Sequence, residues 1–199
     1  MTQHFEFTGE TQPLGNGRML HRIRATRDLP QHAVRAGDLG GWLESERNLS
    51  DAAWVSGTAQ VSGNARVSGD ARVYGDARVY GTARVYGDAR VFGTAWVSGN
   101  AWVSGDARVY GNAQVERADH VLTVTPIGSE DVTATLFRTA DGHTLSVGCW
   151  DNGTLETLPA EVERRAERWD GRALDHEVWC AQYDALHALG VATVKRWSE

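Results

Sequence analysis

Six-residue units run without a break from Val55 to Gln114, and the last place of each unit is where chemistry can sit. Arginine fills that place at Arg66, Arg72, Arg78, Arg84, Arg90 and Arg108, and tryptophan fills it at Trp96 and Trp102. The second place adds Tyr74, Tyr80, Tyr86, Phe92 and Tyr110. A guanidinium presents a planar fork of N–H donors that matches phosphate or carboxylate. An aromatic face beside it can stack on a base. Together they supply charge and a π-face for a small anionic ligand such as a nucleotide. A base or nucleophile is missing from the same stretch. No histidine occurs between His32 and His120, so the repeat carries no imidazole to deprotonate an acceptor. Phosphate-loop, nucleophile-elbow and H-E-x-x-H patterns are absent as well.

The rest of the unit explains how these side chains are held. Valine opens each unit at 55, 61, 67, 73, 79, 85, 91, 97, 103 and 109, with glycine third and alanine fifth. A fixed period this short implies a solenoid, in which each unit is stable only by stacking on its neighbours. Valine, β-branched, suits the inward strand position. Alanine is the second inward residue, small enough for a corner. Glycine accepts backbone angles at the turn that a side chain resists. The other three places face outward.

On these residues, from Leu43 to Val115, the chain resembles the hexapeptide-repeat proteins that form a left-handed parallel β-helix. That resemblance implies three units per triangular coil, and the hand of the coil rests on it alone. Residues 18 apart then form outward ladders. One carries Trp54, Arg72, Arg90 and Arg108, flanked by Asp70, Asp88 and Asp106. A second carries Gln60, Arg78, Trp96 and Gln114 beside Ser56, Tyr74, Phe92 and Tyr110. A third carries Arg66, Arg84 and Trp102 beside Ser62, Tyr80 and Ser98. Arg and Asp columns can simply neutralise each other as surface pairs. Arg78 over Trp96 and Arg84 over Trp102 can be cation–π contacts. The Tyr74, Phe92 and Tyr110 stripe reads as an interface between copies, and the resemblance implies a trimer. The well-known members of this family are trimeric acyltransferases with a histidine base. Here the coil has no histidine and no projecting loop, which leaves only His21 or His120 to reach a cleft between subunits.

Outside the coil, residues 1–42 alternate in strand fashion around a Gly15–Gly17 turn and read as a hairpin and cap. Residues 43–115 are the coil, with Leu43 and Leu49 in the valine register as degenerate first units. Residues 116–199 read as a small α+β domain. Its expected strands are His120–Pro126, Thr133–Arg138 and His143–Cys149, and its expected helices are Leu158–Trp169 and His176–Leu189. Asp175 is placed to cap the second helix and Gly190 to close it. Cys149 and Cys180 read as buried, reduced thiols of a cytosolic protein rather than a bridge. The segment Gly148–Leu155 fits a turn holding a buried cysteine, or a functional thiol.

Charge is unevenly placed. Residues 1–54 carry six Arg against seven acids, the repeat six Arg against four Asp, and residues 116–199 eight bases against fifteen acids. An acidic C-terminal region argues against general nucleic-acid binding. A polar start and the lack of an apolar run argue against a signal peptide or membrane span. Arg22–Asp28 and Gly37–Ser50, followed by the coil and the α/β tail, resemble hexapeptide-repeat proteins of bacteriophages and prophages. The combined expectation is a mainly β, non-catalytic, homo-oligomeric protein with no cofactor and no metal. It would work in the host cytoplasm or in a virion, sequestering a small anion or binding a host protein. Arg72, Arg90, Arg108, Arg78, Arg84, Trp96, Trp102, Tyr80 and Tyr86 are its expected ligand residues. A structural or interaction module is the second reading, and an acyltransferase the third.

Overall fold

The computed structural model describes residues 3–198. Each repeat unit contributes a strand of two residues, the outward sixth-place residue and the valine after it. These strands, β4 (Trp54–Val55) to β14 (Gln114–Val115), stack in three columns. One runs β4, β7 (Arg72–Val73), β10 (Arg90–Val91), β13 (Arg108–Val109). The next runs β5 (Gln60–Val61), β8 (Arg78–Val79), β11 (Trp96–Val97), β14, and the third β6 (Arg66–Val67), β9 (Arg84–Val85), β12 (Trp102–Val103). All pairings between coils are parallel with an 18-residue register, for example Val73 beside Val91. The result is a parallel β-solenoid of about four turns, as four strands in the first column require.

The repeat valines and alanines are fully buried and form a continuous inner column. Coils are joined by a backbone ladder: Trp54 N–H donates to Ala71 O at 2.9 Å, Ser56 N–H to Val73 O at 2.9 Å and Thr58 N–H to Gly75 O at 3.1 Å, and the Thr58, Thr82 and Thr94 hydroxyls add bonds to the Gly75, Gly99 and Gly111 carbonyls. The pattern recurs from unit to unit. Gly69 shows why the third place is glycine. Its φ is +69°, and a Cβ built there would lie 2.9 Å from the nitrogen of Gly87 one coil on. Both the left-handed backbone and the close approach exclude a side chain.

The first coil needs its outward-facing backbone groups satisfied. On one face the sheet simply continues. β3 (Leu39–Leu43) pairs in parallel with β5, and β2 (Arg18–Ala25) pairs antiparallel with β3 and with β1 (Phe5–Gly15). That gives a seven-stranded sheet, with Leu43 opposite Val61 as the valine register requires. Leu49 bridges to Val67 in the same way. Elsewhere side chains do the work. His4 Nε2–H donates to Ala53 O at 2.8 Å and His32 Nε2–H to Ala52 O at 2.8 Å. Asn48 Nδ2 donates to Gly63 O at 3.0 Å and to Ala65 O at 2.9 Å. Hairpin and coil together form one compact unit ending at Ala118, and a second unit begins at Asp119.

The second unit is a four-stranded antiparallel sheet with two helices. Its strands are β15 (Val121–Ile127), β16 (Val132–Thr139), β17 (Gly142–Val147) and β18 (Trp150–Gly153), in that order across the sheet. The helices are α1 (Leu158–Ala166) and α2 (Ala173–Lys195). Leu136, Leu145, Leu155, Leu158, Tyr183 and Leu186 lie in its core. Several expectations need correction. β18 occupies the segment read as an irregular turn, and α1 stops at Ala166. α2 runs past Gly190 to Lys195, because Gly190 is a packing residue: a Cβ there would meet Leu155 Cδ2 at 2.5 Å. α2 also begins earlier than expected, at Ala173, so Asp175 is not the N-cap residue: it lies in the first turn, where its carboxylate accepts from the N–H of the N-cap residue Arg172 at 2.9 Å and is held down at about 2 by the Arg172 side chain. Cys149 and Cys180 are free thiols but are exposed, not buried. Among the described residues, no helix is long and apolar enough to cross a membrane.

Two stability predictions follow from the coil and its cap. Val85→Asp places an unpaired charge in the inner column and should cost about 3–5 kcal/mol, whereas Tyr86→Ser on the outer surface should cost about 1 kcal/mol or less. Urea denaturation of the two variants measures the difference, and equal losses would reverse the inward–outward assignment. The second concerns pH. Burial lowers the pKa of His4 and of His32 below 6.5, although their bonds to Ala53 and Ala52 oppose the shift. His32 Nδ1 is buried with no partner, so a second ring proton would have no acceptor. The unfolded chain therefore takes up protons first, and stability should fall as pH drops below about 6.5. A His4→Gln, His32→Gln double variant should lose that part of the slope in urea midpoints between pH 7 and 5.

Candidate functional site

The 18-residue register brings Arg78 and Trp96 together on one face, with the Arg78 guanidinium carbon 5.6 Å from the Trp96 ring centroid. Tyr80, Gln60, Ser62, Asn64 and Thr82 surround them in a groove of about 640 Å³. Trp96 remains 44% exposed, so its contact with Arg78 leaves ring surface open. One unit along the chain, on the adjacent face, the same constellation recurs. Arg84 sits 5.5 Å from the ring of Trp102, which is 50% exposed, and with Arg66, Ser68 and Tyr86 they line a groove of about 290 Å³.

The larger groove has a wall that the smaller lacks. Leu14 and Arg18, from the turn end of the β1–β2 hairpin, close one side of it. Arg18 is fixed there by Glu44: its Nε donates to Oε1 at 2.6 Å and Nη2 donates to Oε2. Glu44 also accepts from Gly63 N–H at 2.6 Å, which ties the hairpin wall to the coil backbone. The Arg18 side chain first, and the Gly63 amide, hold the Glu44 carboxyl down at about 2 against a desolvation that acts the other way. Arg18 is thus already neutralised. Among the described residues, Arg66, Arg72, Arg78, Arg84 and Arg90 make no ion pair with a carboxylate. The mutual neutralisation of Arg and Asp columns is not what these side chains do. Asp70 instead accepts from Gln31 at 3.1 Å, and Asp76 from Thr58 at 2.6 Å.

The third face is built differently. Arg72, Arg90 and Arg108 lie directly beside one another in register and line neither groove. Arg72 is half-buried, 5.5 Å over the ring of Tyr74, with a buried Nε that has no partner. Tyr74 stacks on Phe92 at 4.9 Å and 3°, and Phe92 on Tyr110 at 5.1 Å and 17°. This stripe is a self-packed aromatic column, with Tyr74 and Phe92 half-buried and Tyr110 buried.

The nine ligand residues expected from the sequence therefore sort onto three faces, and one small molecule cannot touch them all. Arg78, Tyr80 and Trp96 share one groove, Arg84, Tyr86 and Trp102 another, and the three-arginine column stands apart. Gln60, on the same ladder as Arg78, was open to discovery from its spacing. Leu14 and Arg18 were not, because nothing in the repeat indicates where the hairpin docks. The histidines outside the coil line neither groove: His21 packs against Phe7 at 4.9 Å and His120 is buried against Trp197 at 6.0 Å. Among the described residues, no group of three or more His, Cys, Asp or Glu side chains is placed to hold a metal.

Comparison with known families finds similarity within the coil. Residues 59–73, 71–82, 83–99 and 101–117 match the family described as YdcK beta solenoid repeat. No curated protein and no solved structure matches the chain.

The wall of the larger groove makes a pH-dependent prediction. A carboxyl held near 2 when folded and near 4.5 when unfolded stabilises the fold above about 4.5 and loses that contribution as pH falls toward 2. Glu44→Gln should lower the urea midpoint at pH 7, and the gap from the native chain should close on acidification. A gap unchanged from pH 7 to 3 would mean that the Arg18–Glu44 pair does not hold the hairpin.

Proposed function

We propose that this β-solenoid is a non-catalytic binding module whose larger groove takes a small anionic ligand with a flat ring, a nucleotide being the fitting class. The observation that carries the reading is the pairing of an unneutralised guanidinium, Arg78, with the open face of Trp96 in one walled groove. The anion would lie on Arg78, the ring on Trp96 or Tyr80, and Gln60, Ser62, Asn64 and Thr82 would offer hydrogen bonds to sugar or base edges. Arg84, Trp102 and Tyr86 would form a shallower copy of the site. Sequestration of a nucleotide signal by a phage-encoded protein is the biological setting that suits such a site, with release of the ligand chemically unchanged.

A second reading treats the coil surface as an interface between copies or with a host protein, and the Tyr74–Phe92–Tyr110 column favours it. The rings are stacked into a flat strip along the coil, the shape that a closed cyclic assembly, a trimer among them, would use.

Titration calorimetry with AMP, ADP and cyclic dinucleotides separates the two. If the groove binds, Trp96→Ala should weaken affinity by about tenfold or more, since base stacking is worth roughly 1–3 kcal/mol. Arg78→Ala should weaken it and flatten its salt dependence. Combined alanine substitution of Arg72, Arg90 and Arg108 should leave it nearly unchanged. Affinity should vary little between pH 6 and 8, because arginine does not titrate there. No binding of any nucleotide, with a concentration-dependent mass that Phe92→Ser abolishes, would favour the interface. Binding and turnover of acetyl-CoA would establish an enzyme.

A further inference from the structure

Cys149, at the turn between β17 and β18, is an exposed free thiol that lines a groove of about 380 Å³ in the second unit. Its neighbour is a guanidinium: Arg165 Nη2–H donates to Cys149 Sγ at 3.6 Å. Glu161 holds that guanidinium in place, accepting from Arg165 Nε–H at 2.6 Å and from Arg164 Nε–H and Nη2–H at 2.8 and 2.7 Å. The two α1 arginines thus share one carboxylate, and the remaining arm of Arg165 is turned to the sulfur. Cysteine attacks disulfides as its thiolate, and a guanidinium N–H is a strong donor to such an anion.

The rest of the groove is equipped to hold a small polar molecule. Tyr183 is only 6% exposed, yet it lines the groove and its hydroxyl makes no hydrogen bond among the described residues. A buried hydroxyl left without a partner costs free energy that an arriving acceptor or donor recovers. Trp169, stacked on Tyr183 at 6.1 Å and 16°, gives the groove an aromatic wall. Fixed charges of both signs complete the lining. Arg168 supplies the cation, Glu130 and Asp170 the anions, and none of the three makes an ion pair among the described residues. A zwitterion fits this set, with a carboxylate on Arg168 and the Tyr183 hydroxyl and an ammonium near Glu130 or Asp170. Glutathione carries those groups and a sulfur as well. Cys180 has none of these surroundings: it is exposed on α2, lines no part of the groove and has no hydrogen-bond partner among the described residues.

We propose that Cys149 is a site of reversible S-thiolation by small zwitterionic disulfides of the glutathione class. The Cys149 thiolate attacks one sulfur of the disulfide, and the reagent's S–S bond breaks as the new Sγ–S bond forms. The departing half leaves as a thiolate and takes up the proton that Cys149 released. One disulfide is consumed and one is made, so the exchange needs no other oxidant. The site belongs to the second unit and does not depend on the groove of the coil.

The native chain is treated with oxidised glutathione or with uncharged hydroxyethyl disulfide, and peptide mass spectrometry follows the adduct on each cysteine. Oxidised glutathione should modify Cys149 several-fold faster than Cys180, and hydroxyethyl disulfide should show a smaller preference. Arg168→Ala, at an exposed side chain, should slow oxidised glutathione at Cys149 several-fold and leave hydroxyethyl disulfide unchanged. Tyr183→Phe, which removes only the hydroxyl, should act in the same direction. Arg165→Ala should slow both reagents, because its contact is with the sulfur. In every variant the rate at Cys180 should stay constant, which separates recognition from a disturbed fold. Equal rates of oxidised glutathione at the two cysteines would overturn the proposal. An Arg168→Ala effect that is absent, or the same for both reagents, would overturn it too, since nothing in the groove would then recognise the zwitterion.

Discussion

Amides at the second, fourth and sixth places of the units donate to carbonyls 17 residues on, as Ser56, Thr58 and Trp54 do, and the rest of the coil is arranged around that ladder. It fixes the separation of coils at the ~4.8 Å of sheet neighbours, which is too close for any corner residue but glycine. It also removes choice from the outer surface. Whatever occupies the sixth place of one unit is set against whatever occupies it three units later. Identical units therefore stack like on like, and for arginine that means direct cross-strand repulsion. The Arg72–Arg90–Arg108 column accepts this arrangement, and an aromatic stack beside it lets Arg72 lie over a ring. In the other two columns tryptophan follows arginine, after Arg78 in one and after the Arg66–Arg84 pair in the other, and where it does the same geometry that would repel instead makes a cation–π pair. The exposed Arg–Trp pairs are thus the chemical relief that a repeat of this length requires, as well as the best candidates for a site.

The ladder has an end, and the first coil's carbonyls must find donors. Continuing the sheet through β3 answers this on one face, and the Leu49–Val67 bridge answers part of a second. On the others His4, His32 and Asn48 reach the carbonyls with side-chain N–H groups. This explains why histidines lie buried at the start of the molecule. Their protons are committed to backbone oxygens, and their burial opposes a second proton.

Legibility in the sequence followed the range of the interactions. The inward valines and alanines and the corner glycines depend on the period of six that the repeat states, and the partners Arg78–Trp96 and Arg84–Trp102 on a period of eighteen that followed once the family resemblance supplied three units per coil. Leu43 and Leu49 could be placed in register for the same reason. The hairpin wall of the groove depends on Arg18 meeting Glu44 and Glu44 meeting Gly63, contacts between segments with no shared period. In the second unit local signals misled. Gly190 has the look of a helix terminator, yet it stays helical because Leu155 packs where its side chain would be. Cys149 and Cys180 depart from the usual preference of free cysteine for the interior: one lies at the β17–β18 turn and the other on an exposed side of α2.

A perfect repeat makes equivalent sites, and here the equivalence is visible: moving six residues along the chain converts Arg78, Tyr80 and Trp96 into Arg84, Tyr86 and Trp102. Repetition alone cannot say which copy matters. The asymmetry comes from the end of the coil, since only the face that contains β3 is extended by β2 and β1. The hairpin turn therefore overhangs the first constellation and not the second, and the groove beneath it is about 640 Å³ rather than about 290 Å³. The neighbouring units differ as well. Asn64 and Thr82 border the first groove, whereas six residues on the chain has Asp70 and Asp88, whose charge would oppose an anion. Depth and charge select the same face, and both arise where the regular coil meets the irregular segment that caps it.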